Sequence, residues 1–264
     1  MKPGAMPVPP SEFRSFRLVL RSRWMRSFRS EPDPLKPGAM GFAHRGLHGP
    51  GVPENSLAAF RAAIDAGAGI ECDVRLSADG QPVIFHDHDL RRMCASALAV
   101  EATDASMLGR QRLSDSAEHI PSLVDLLDLV DGRVPLLIEV KARGGNSSRI
   151  TKAVVEKLAA YDGPVGVMSF DPGVGKWLRR HAPQVQRGLV ISQNASAFDR
   201  WRSMGAASPQ FVAVDFGAIV RRWVKRARRN RWIYSWTIRN EADRQTAEIH
   251  ADAPIWEGDG RPGS

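Results

Sequence analysis

Residues 69–87 read GIECDVRLSADGQPVIFHD, a segment with the pattern of two β-strands joined by a turn. Two extended apolar runs, GIECDVRL at 69–76 and PVIFH at 82–86, flank the turn residues Asp79 and Gly80. Apolar runs bounded by turn residues are typical of β-strands. The stretch therefore predicts one interrupted strand unit, and runs of the same kind recur along the chain on both sides of it.

Outward from this unit, extended apolar runs alternate with helical patterns from residue 41 onward. The other candidate strands are GFAH at 41–44, PLLIEV at 135–140, VGVMSF at 165–170, RGLVIS at 187–192, FVAVDF at 211–216, WIYSW at 232–236 and ADAPIW at 251–256. If the interrupted unit is counted once, the chain has eight strands. Eight strand–helix alternations predict an α/β fold of the TIM-type (β/α)8 barrel class. A doubly wound open sheet is the alternative, but no glycine-rich dinucleotide turn follows the first strand.

Two helical patterns indicate where intervening helices begin and end. One follows Asn55, a candidate N-cap, and stops at Gly67, a residue that favours a helix C-terminus. Another runs over 147–158 and is followed by Gly163 and Pro164, which prevent its continuation. Both helices lie between predicted strands, as the barrel requires.

The amino-acid composition limits the classes of protein to which this chain can belong. The chain has 264 residues, of which 43% are hydrophobic and 25% charged, and these values fit one large globular domain. Cys72 and Cys94 form no CxxC pair, so we expect reduced thiols and no disulfide framework. The net charge of +8 is concentrated in residues 1–40 and 221–231. Because these basic segments are separate, the charge does not favour nucleic-acid binding.

Residues 1–40 differ from the predicted barrel at 41–258 and the tail at 259–264, because they are rich in Pro, Arg and Ser. Large apolar residues recur at helical spacing over about 13–29, with arginines on the remaining faces. This pattern predicts a basic amphipathic helix that either packs on the barrel or makes peripheral contact with an anionic membrane. The basic segment at 219–231 is interpreted as a solvated face whose apolar side turns inward.

The sequence contains no apolar run of the roughly 18 residues that a transmembrane helix needs. The apolar run near its start is too short for a secretory signal. A cytoplasmic location is therefore expected, with peripheral membrane contact left open.

The barrel prediction selects three carboxylates as candidate site residues, because the active sites of such barrels lie at the C-terminal ends of the strands. Side chains alternate along a strand, so Glu71 and Asp73 share one face while Cys72 takes the other. Glu139 enters from the next strand. Carboxylates that converge at one barrel mouth repel one another unless a cation compensates them, and hard oxygen ligands suit Mg²⁺ or Ca²⁺. The residues therefore predict a site for one divalent cation.

Histidines and basic residues occupy neighbouring strand ends. His44 and Arg45 close the first strand, His86 closes the run after the turn, and Lys141 follows the third strand. The pKa of histidine lies near neutrality, which suits His44 and His86 to proton transfer. Arg45 and Lys141 supply positive charge of the kind that a reacting phosphate requires.

These pieces occur in a fixed order. The motifs are HRG at 44–46, PENS at 53–56, AF at 59–60, IECDV at 70–74, SADG at 77–80, HD at 86–87, IPSL at 120–123, LLIEVK at 136–141, SF at 169–170 and SWT at 235–237. Their order and spacing resemble the glycerophosphodiester phosphodiesterase family. The resemblance covers roughly residues 41–257 and is most specific in the N-terminal half.

The resemblance implies hydrolysis of a small glycerophosphodiester to glycerol 3-phosphate and an alcohol. The glycerol 2-hydroxyl would attack phosphorus first, and water would then open the cyclic phosphate. The implied roles are Glu71, Asp73 and Glu139 as ligands of one divalent cation, His44 and His86 as the acid/base pair, Arg45 and Lys141 on the phosphate, Trp236 on the glycerol, Glu54 beside the metal or the histidines, and Asn55 as the residue that orients its loop.

The chain departs from the family pattern late in the sequence. The usual terminal Thr-Asp is replaced by ADAPIWEG at 251–258, in which Asp252 is the nearest carboxylate. Arg239 stands where an asparagine often follows the Trp-Thr pair, and the segment 90–119 lacks a long insertion, which predicts an open mouth. These departures leave the identity of the leaving alcohol open.

Two other functions stand as alternatives. A lysophospholipase D-type activity on lysolipids would use the same residues, and the basic segments at 13–29 and 219–231 favour it because they could hold the protein on an anionic membrane. A non-catalytic binding module is the remote alternative. Such a protein is expected to lack a histidine or a metal carboxylate, whereas every one is present here. The sequence does not determine the oligomeric state.

Overall fold

A computed structural model describes residues 32–263 of the chain. Within them the strands, in chain order, are β1 (Phe42–His44), β2 (Gly69–Leu76), β3 (Pro82–Ile84), β4 (Leu136–Val140), β5 (Val165–Ser169), β6 (Gln186–Ile191), β7 (Phe211–Asp215), β8 (Trp232–Ile238) and β9 (Ala253–Trp256). All except β3 run parallel and close into a barrel, because β1 pairs with β2 on one side and with β9 on the other. Strand β3 pairs antiparallel with β2, which accounts for the interrupted strand unit. The predicted TIM-type barrel is confirmed.

Helices alternate with the barrel strands and cover their outer face. The α-helices of the described residues are α1 (Leu57–Asp65), α2 (Arg91–Cys94), α3 (Ala105–Leu108), α4 (Leu123–Val130), α5 (Ser147–Leu158), α6 (Pro172–His181), α7 (Ala197–Ala207), α8 (Arg222–Arg228) and α9 (Glu241–His250), with short 3₁₀ turns at Val100–Ala102, Phe216–Ala218 and Gly258–Gly260. Ile70, Cys72 and Val74 of β2 pack in one apolar cluster with Phe60 of α1 and Leu126 of α4. The alternate residues of β2 therefore face the barrel interior.

Helix α1 is capped by Ser56 and not by the candidate Asn55. Ser56 has an extended backbone, and its hydroxyl accepts a hydrogen bond from the Ala59 backbone N–H at 3.1 Å. Asn55 precedes the cap with a left-handed φ of 56° and binds Asp73 instead. Helix α5 begins and ends where the sequence predicts.

Apolar side chains fill the N-terminal end of the barrel interior. Leu35, which is 1% exposed, packs there with Phe42 and Phe211, and it leaves no room for a side chain at Gly166. Nearby, the Tyr234 hydroxyl donates to an Asp33 carboxylate oxygen at 2.6 Å. The residues just before position 41 therefore contribute to the barrel core. The predicted helix at 13–29 lies outside the described residues and stays a prediction.

Replacing Leu35 by Ala should lower the free energy of unfolding by about 2–5 kcal/mol, because the change leaves a cavity among residues that cannot fully collapse. Urea denaturation followed by circular dichroism measures this loss. Ile249→Ala is the matched control, since Ile249 is 69% exposed, and we expect its effect to stay within about 0.5 kcal/mol. Equal effects of the two substitutions would show that Leu35 does not contribute to the core.

A smaller apolar cluster lies beside the barrel and is built by β3 and the segment that follows it. Its members are Val83, Phe85, Leu90, Met93, Val100, Leu108, Leu113 and Ile120. Because Met93 belongs to α2, the cluster fixes this short helix against β3 and its continuation at Phe85 and His86. The polar side chains of α2 are thereby held near one rim of the barrel.

The basic segment at 219–231 turns its apolar side inward, as its pattern predicts. Ile219 and Val224 are buried, and Trp223 and Ala227 are partly buried in the same cluster.

No helix in the part of the chain covered by residues 32–263 combines the length and apolarity needed to cross a membrane.

Candidate active site

A cavity of about 270 Å³ opens at the C-terminal ends of the barrel strands. Most of the polar residues that the sequence singles out line it, namely His44, Arg45, Glu71, His86, Glu139, Lys141 and Trp236. Asp73 and Asn55 lie next to this lining and are buried, while Glu54 lies at its edge. The structure thus brings the sequence-predicted residues together in one place.

Three carboxylates form the floor of the cavity. Glu71 and Asp73 project from β2 and Glu139 from β4, and the parallel pairing sets Asp73 opposite Glu139. All three are buried, and one carboxylate oxygen from each lies within 4.8 Å of the other two. Lys141 Nζ lies 2.9 Å from Asp73 Oδ1 and 2.5 Å from Glu139 Oε1. The grouping is the one that strand alternation predicts.

The carboxylate cluster fits a divalent cation. Burial and repulsion by Asp73 raise the pKa of Glu71 to about 7, because the surrounding charges do not fully compensate the cluster. The Oδ1 atom of Asp73 is buried, and apart from its ion pair with Lys141 it has no hydrogen-bond partner within residues 32–263. Carboxylate oxygens grouped this closely are the ligands that Mg²⁺ and Ca²⁺ prefer.

His44 is held by a carboxylate at the end of the last strand. Its Nδ1 lies 2.8 Å from Glu257 Oε2, and Arg239 Nε donates to Glu257 Oε1 at 2.6 Å. The hydrogen bond with His44 lowers the pKa of Glu257 to about 2. Burial alone would lower the pKa of His44, but Glu257 and Glu71 outweigh it and raise this pKa. With Nδ1 engaged, Nε2 is the ring nitrogen that faces the cavity, 3.9 Å from Glu71 Oε2.

His86 has the same kind of support from a different part of the chain. Its Nδ1 lies 2.7 Å from Asp87 Oδ1, and Arg92 Nε donates to Asp87 Oδ2 at 2.6 Å. Burial lowers the pKa of His86, and the positive charge of Lys141 acts in the same direction. The neighbouring His88 is 55% exposed and pairs with Asp89 at 3.2 Å, away from the cavity. Of the two histidines in the HDHD run, His86 is therefore the one at the site.

The loop after β1 supports the cavity from a second side. Arg45 Nη1 donates to Glu54 Oε1 at 2.8 Å, and its Nε lies 3.3 Å from Asp73 Oδ2. Its backbone N–H donates to Glu71 Oε2 at 3.1 Å, in a left-handed conformation with φ 57°. The Asn55 amide donates to Asp73 Oδ2 at 2.9 Å and accepts from the Asp73 backbone N–H at 3.3 Å. Glu54 therefore holds Arg45, whereas Asn55 orients Asp73.

One wall of the cavity is aromatic. Trp236 donates its indole N–H to the Ala213 carbonyl at 3.1 Å, which fixes the ring in place. Phe170 meets Trp236 edge to face at a centroid distance of 5.6 Å and is 46% exposed at the rim. The wall lies beside the polar floor and offers an apolar surface to a bound molecule.

No role at the site was assigned from the sequence to four of the residues that organise it. Glu257 and Asp87 hold the two histidines, while Arg239 and Arg92 hold those carboxylates. Glu257 directly follows β9, and this position at a strand end was the available signal.

Asp252, the nearest carboxylate in the segment that replaces the family's terminal Thr-Asp, lies at the N-terminal side of β9. It accepts hydrogen bonds from Arg228 at 3.0 Å and from the Ile233 backbone N–H at 2.8 Å. The opposite ends of a strand lie at opposite ends of the barrel, so Asp252 supports the framework, whereas Glu257 reaches His44 at the cavity.

Comparisons with known proteins agree with the geometry. The glycerophosphodiester phosphodiesterases of Caldanaerobacter subterraneus subsp. tengcongensis and Bacillus altitudinis are 30% and 37% identical to this chain over 162 and 160 residues. Each alignment covers 56% of this chain and 65% of the relative, so the match spans slightly less than two thirds of those proteins.

The fold also matches that of solved structures. A phosphodiesterase from Oleispira antarctica, solved in complex with the product sn-glycerol-3-phosphate, superposes with a TM-score of 0.74 over 82% of this chain and 91% of its own. The two sequences are 24% identical, so this similarity shows a shared fold and does not by itself show a shared function. The family model described as the glycerophosphoryl diester phosphodiesterase family matches residues 44–253. This match contains both histidines and all three carboxylates of the cavity, and the chain belongs to the glycerophosphoryl diester phosphodiesterase family.

Proposed function

We propose that this chain is a divalent-cation-dependent phosphodiesterase that hydrolyses glycerophosphodiesters to glycerol 3-phosphate and an alcohol. The observation that carries the proposal is the cavity, in which two histidines held through Nδ1 adjoin three buried carboxylates that fit a cation. Family membership supports the reaction. The proposed product is the molecule with which the Oleispira antarctica phosphodiesterase of the same fold was solved, sn-glycerol-3-phosphate.

The polar residues have distinct tasks in this proposal. Glu71, Asp73 and Glu139 would hold the cation, which supplies charge that polarises a phosphoryl oxygen. Arg45 and Lys141 border the same cavity and would hold phosphate oxygens through charge-assisted hydrogen bonds. Their positive charges would be fixed in place before the substrate arrives, which is the arrangement that best stabilises a developing negative charge.

The two histidines would move the protons in two steps. In the first, the glycerol 2-hydroxyl oxygen attacks phosphorus and the bond to the alcohol oxygen breaks. One histidine takes the hydroxyl proton, and the other gives a proton to the departing alcohol. In the second step, water adds to phosphorus and the bond to the 2-oxygen breaks. The histidines exchange roles, which leaves glycerol 3-phosphate.

The aromatic wall supports the alternative substrate class. Met168, Val190 and Ile255 line the cavity together with Phe170 and Trp236. An acylated glycerol could lay its chain along this apolar surface, as a lysophospholipase D-type reaction on lysolipids requires.

An assay of the purified protein separates the two substrate classes. We expect glycerol 3-phosphate to be released from glycerophosphocholine in Mg²⁺ or Ca²⁺ and not in EDTA. Faster turnover of lysophosphatidylcholine, with lysophosphatidic acid as product, would favour the alternative. If neither substrate is hydrolysed with either cation, the proposed function is wrong.

A further inference from the structure

One arginine outside the cavity binds two of the carboxylates that hold cavity side chains in place. Arg92 lies on α2, and its side chain is 47% exposed. Its Nε donates to Asp87 Oδ2 at 2.6 Å, while its Nη1 and Nη2 donate to Glu54 at 3.0 and 2.7 Å. A single guanidinium therefore binds two carboxylates that come from different loops.

Each of these carboxylates holds one functional side chain. Asp87 is 2.7 Å from His86 Nδ1, and Glu54 is 2.8 Å from Arg45 Nη1. Arg92 itself does not line the cavity. It is connected to the histidine through one carboxylate and to the phosphate-binding arginine through the other.

We propose that Arg92 is a positioning residue that fixes the His86 and Arg45 side chains relative to each other. This inference rests on the proposed function. The planar guanidinium suits this task because its donors have a fixed geometry and can serve two carboxylates at once. A lysine at the same place would offer a point charge with no fixed fork.

The electrostatics of both carboxylates agree with this role. Burial alone would raise the pKa of Asp87, but the hydrogen bonds from Arg92 and His86 hold it at about 2. Burial would likewise raise the pKa of Glu54, and the hydrogen bond from Arg92 is the largest of the effects that lower it. Both groups therefore stay ionised and accept hydrogen bonds from His86 and Arg45 across the neutral pH range.

Arg91 provides a matched control. It lies on the same four-residue helix and carries the same charge, but its side chain is 69% exposed and forms an ion pair with Asp89 at 2.8 Å. Arg91 thus differs from Arg92 in its connection to the site and not in its charge or helix.

The first test compares Arg92→Met, Arg92→Lys and Arg91→Met with glycerophosphocholine as substrate. We expect Arg92→Met to lower kcat/KM by about 100-fold, since a misplacement near 1 Å can cost that much. Both kcat and KM should change. We expect kcat to fall because His86 is misplaced, and KM to rise because Arg45 is misplaced. Arg91→Met should stay close to the parent protein, and Arg92→Lys should lie between the two. All three variants should melt near the parent temperature.

Double variants separate positioning from simple stabilisation. Asp87→Asn alone should mainly lower kcat, and Glu54→Gln alone should mainly raise KM. Adding Arg92→Met to Asp87→Asn should then lower kcat little further, because the connection to His86 is already broken. A loss in Arg92→Met that merely adds to that of Asp87→Asn, or that tracks a lower melting temperature, would overturn the inference. So would equal activity of Arg92→Met and Arg91→Met.

A readout without turnover keeps this inference separate from the proposed function. The ¹⁵N chemical shifts of the His86 ring report which nitrogen carries the proton. We expect Arg92→Met to change them and Arg91→Met to leave them as in the parent protein. Unchanged His86 shifts in Arg92→Met would overturn the positioning role, even in a protein that hydrolyses the substrate. A parent protein with no turnover would instead contradict the proposed function.

Discussion

Replacing Glu71 by Gln, Asp73 by Asn or Glu139 by Gln should each reduce turnover by at least about 10³-fold, because a bound cation contributes several kcal/mol of charge stabilisation. Each substitution keeps the shape of the side chain and removes one negative ligand. Repulsion and burial raise the pKa of Glu71 to about 7, so removing the Glu71 charge relieves repulsion, whereas Asp73→Asn and Glu139→Gln each break an ion pair with Lys141. We therefore expect cation-free Glu71→Gln to melt no lower than the cation-free parent protein, and the other two variants to fold but to melt at a lower temperature.

Two measurements check this prediction. Calorimetric titration with Mg²⁺ or Ca²⁺ should detect binding to the parent protein and none to the three variants. Turnover of the parent protein should disappear in EDTA and return when the cation is restored. Glu156→Gln is the matched control, because Glu156 lies on α5, is 61% exposed and pairs with Lys152. Full activity in EDTA after exhaustive dialysis would contradict the role of the cluster.

The barrel and the floor of its cavity could be predicted because both follow from local rules. Strand runs alternating with helical patterns determine the fold class. Alternation along β2 sets Glu71 and Asp73 on one face, and the barrel brings the ends of all strands together. No knowledge of distant contacts is needed for these steps. The same reasoning selected His44, His86 and Lys141, which all line the cavity.

The supports of the site could not be predicted in the same way. Glu257 reaches His44 only because β9 closes the barrel against β1, so its partner lies far away in the sequence. Arg92 reaches Glu54 because a small apolar cluster fixes α2 in place. Neither contact leaves a periodic signal in the sequence. The cap of α1 was misassigned for a related reason, since Asn55 and Ser56 both suit an N-cap and the binding of Asn55 to Asp73 decides between them.

Replacing His44 or His86 by Ala should lower kcat by about 10²–10⁴-fold, the contribution of a positioned acid or base. Both rings face the cavity with Nδ1 held by a carboxylate, so each variant removes one proton-transfer atom and leaves the carboxylate floor in place. His88→Ala is the matched control, because His88 is 55% exposed and pairs with Asp89. We expect its kcat to remain near that of the parent protein.

The double variant tests whether the two histidines act together. If both histidines are needed in each step, water must already replace one of them as proton donor or acceptor in the single variant. Removing the second histidine should then lower kcat little further. Effects of residues that act as a unit are not additive, so the expected loss for the double variant is close to that of the worse single variant. Steady-state kinetics on glycerophosphocholine in saturating cation compares the parent protein with the two single variants, the double variant and His88→Ala. Losses that multiply would mean that the histidines act independently. A loss in His88→Ala equal to that in His86→Ala would mean that the wrong histidine of the HDHD run has been assigned to the reaction.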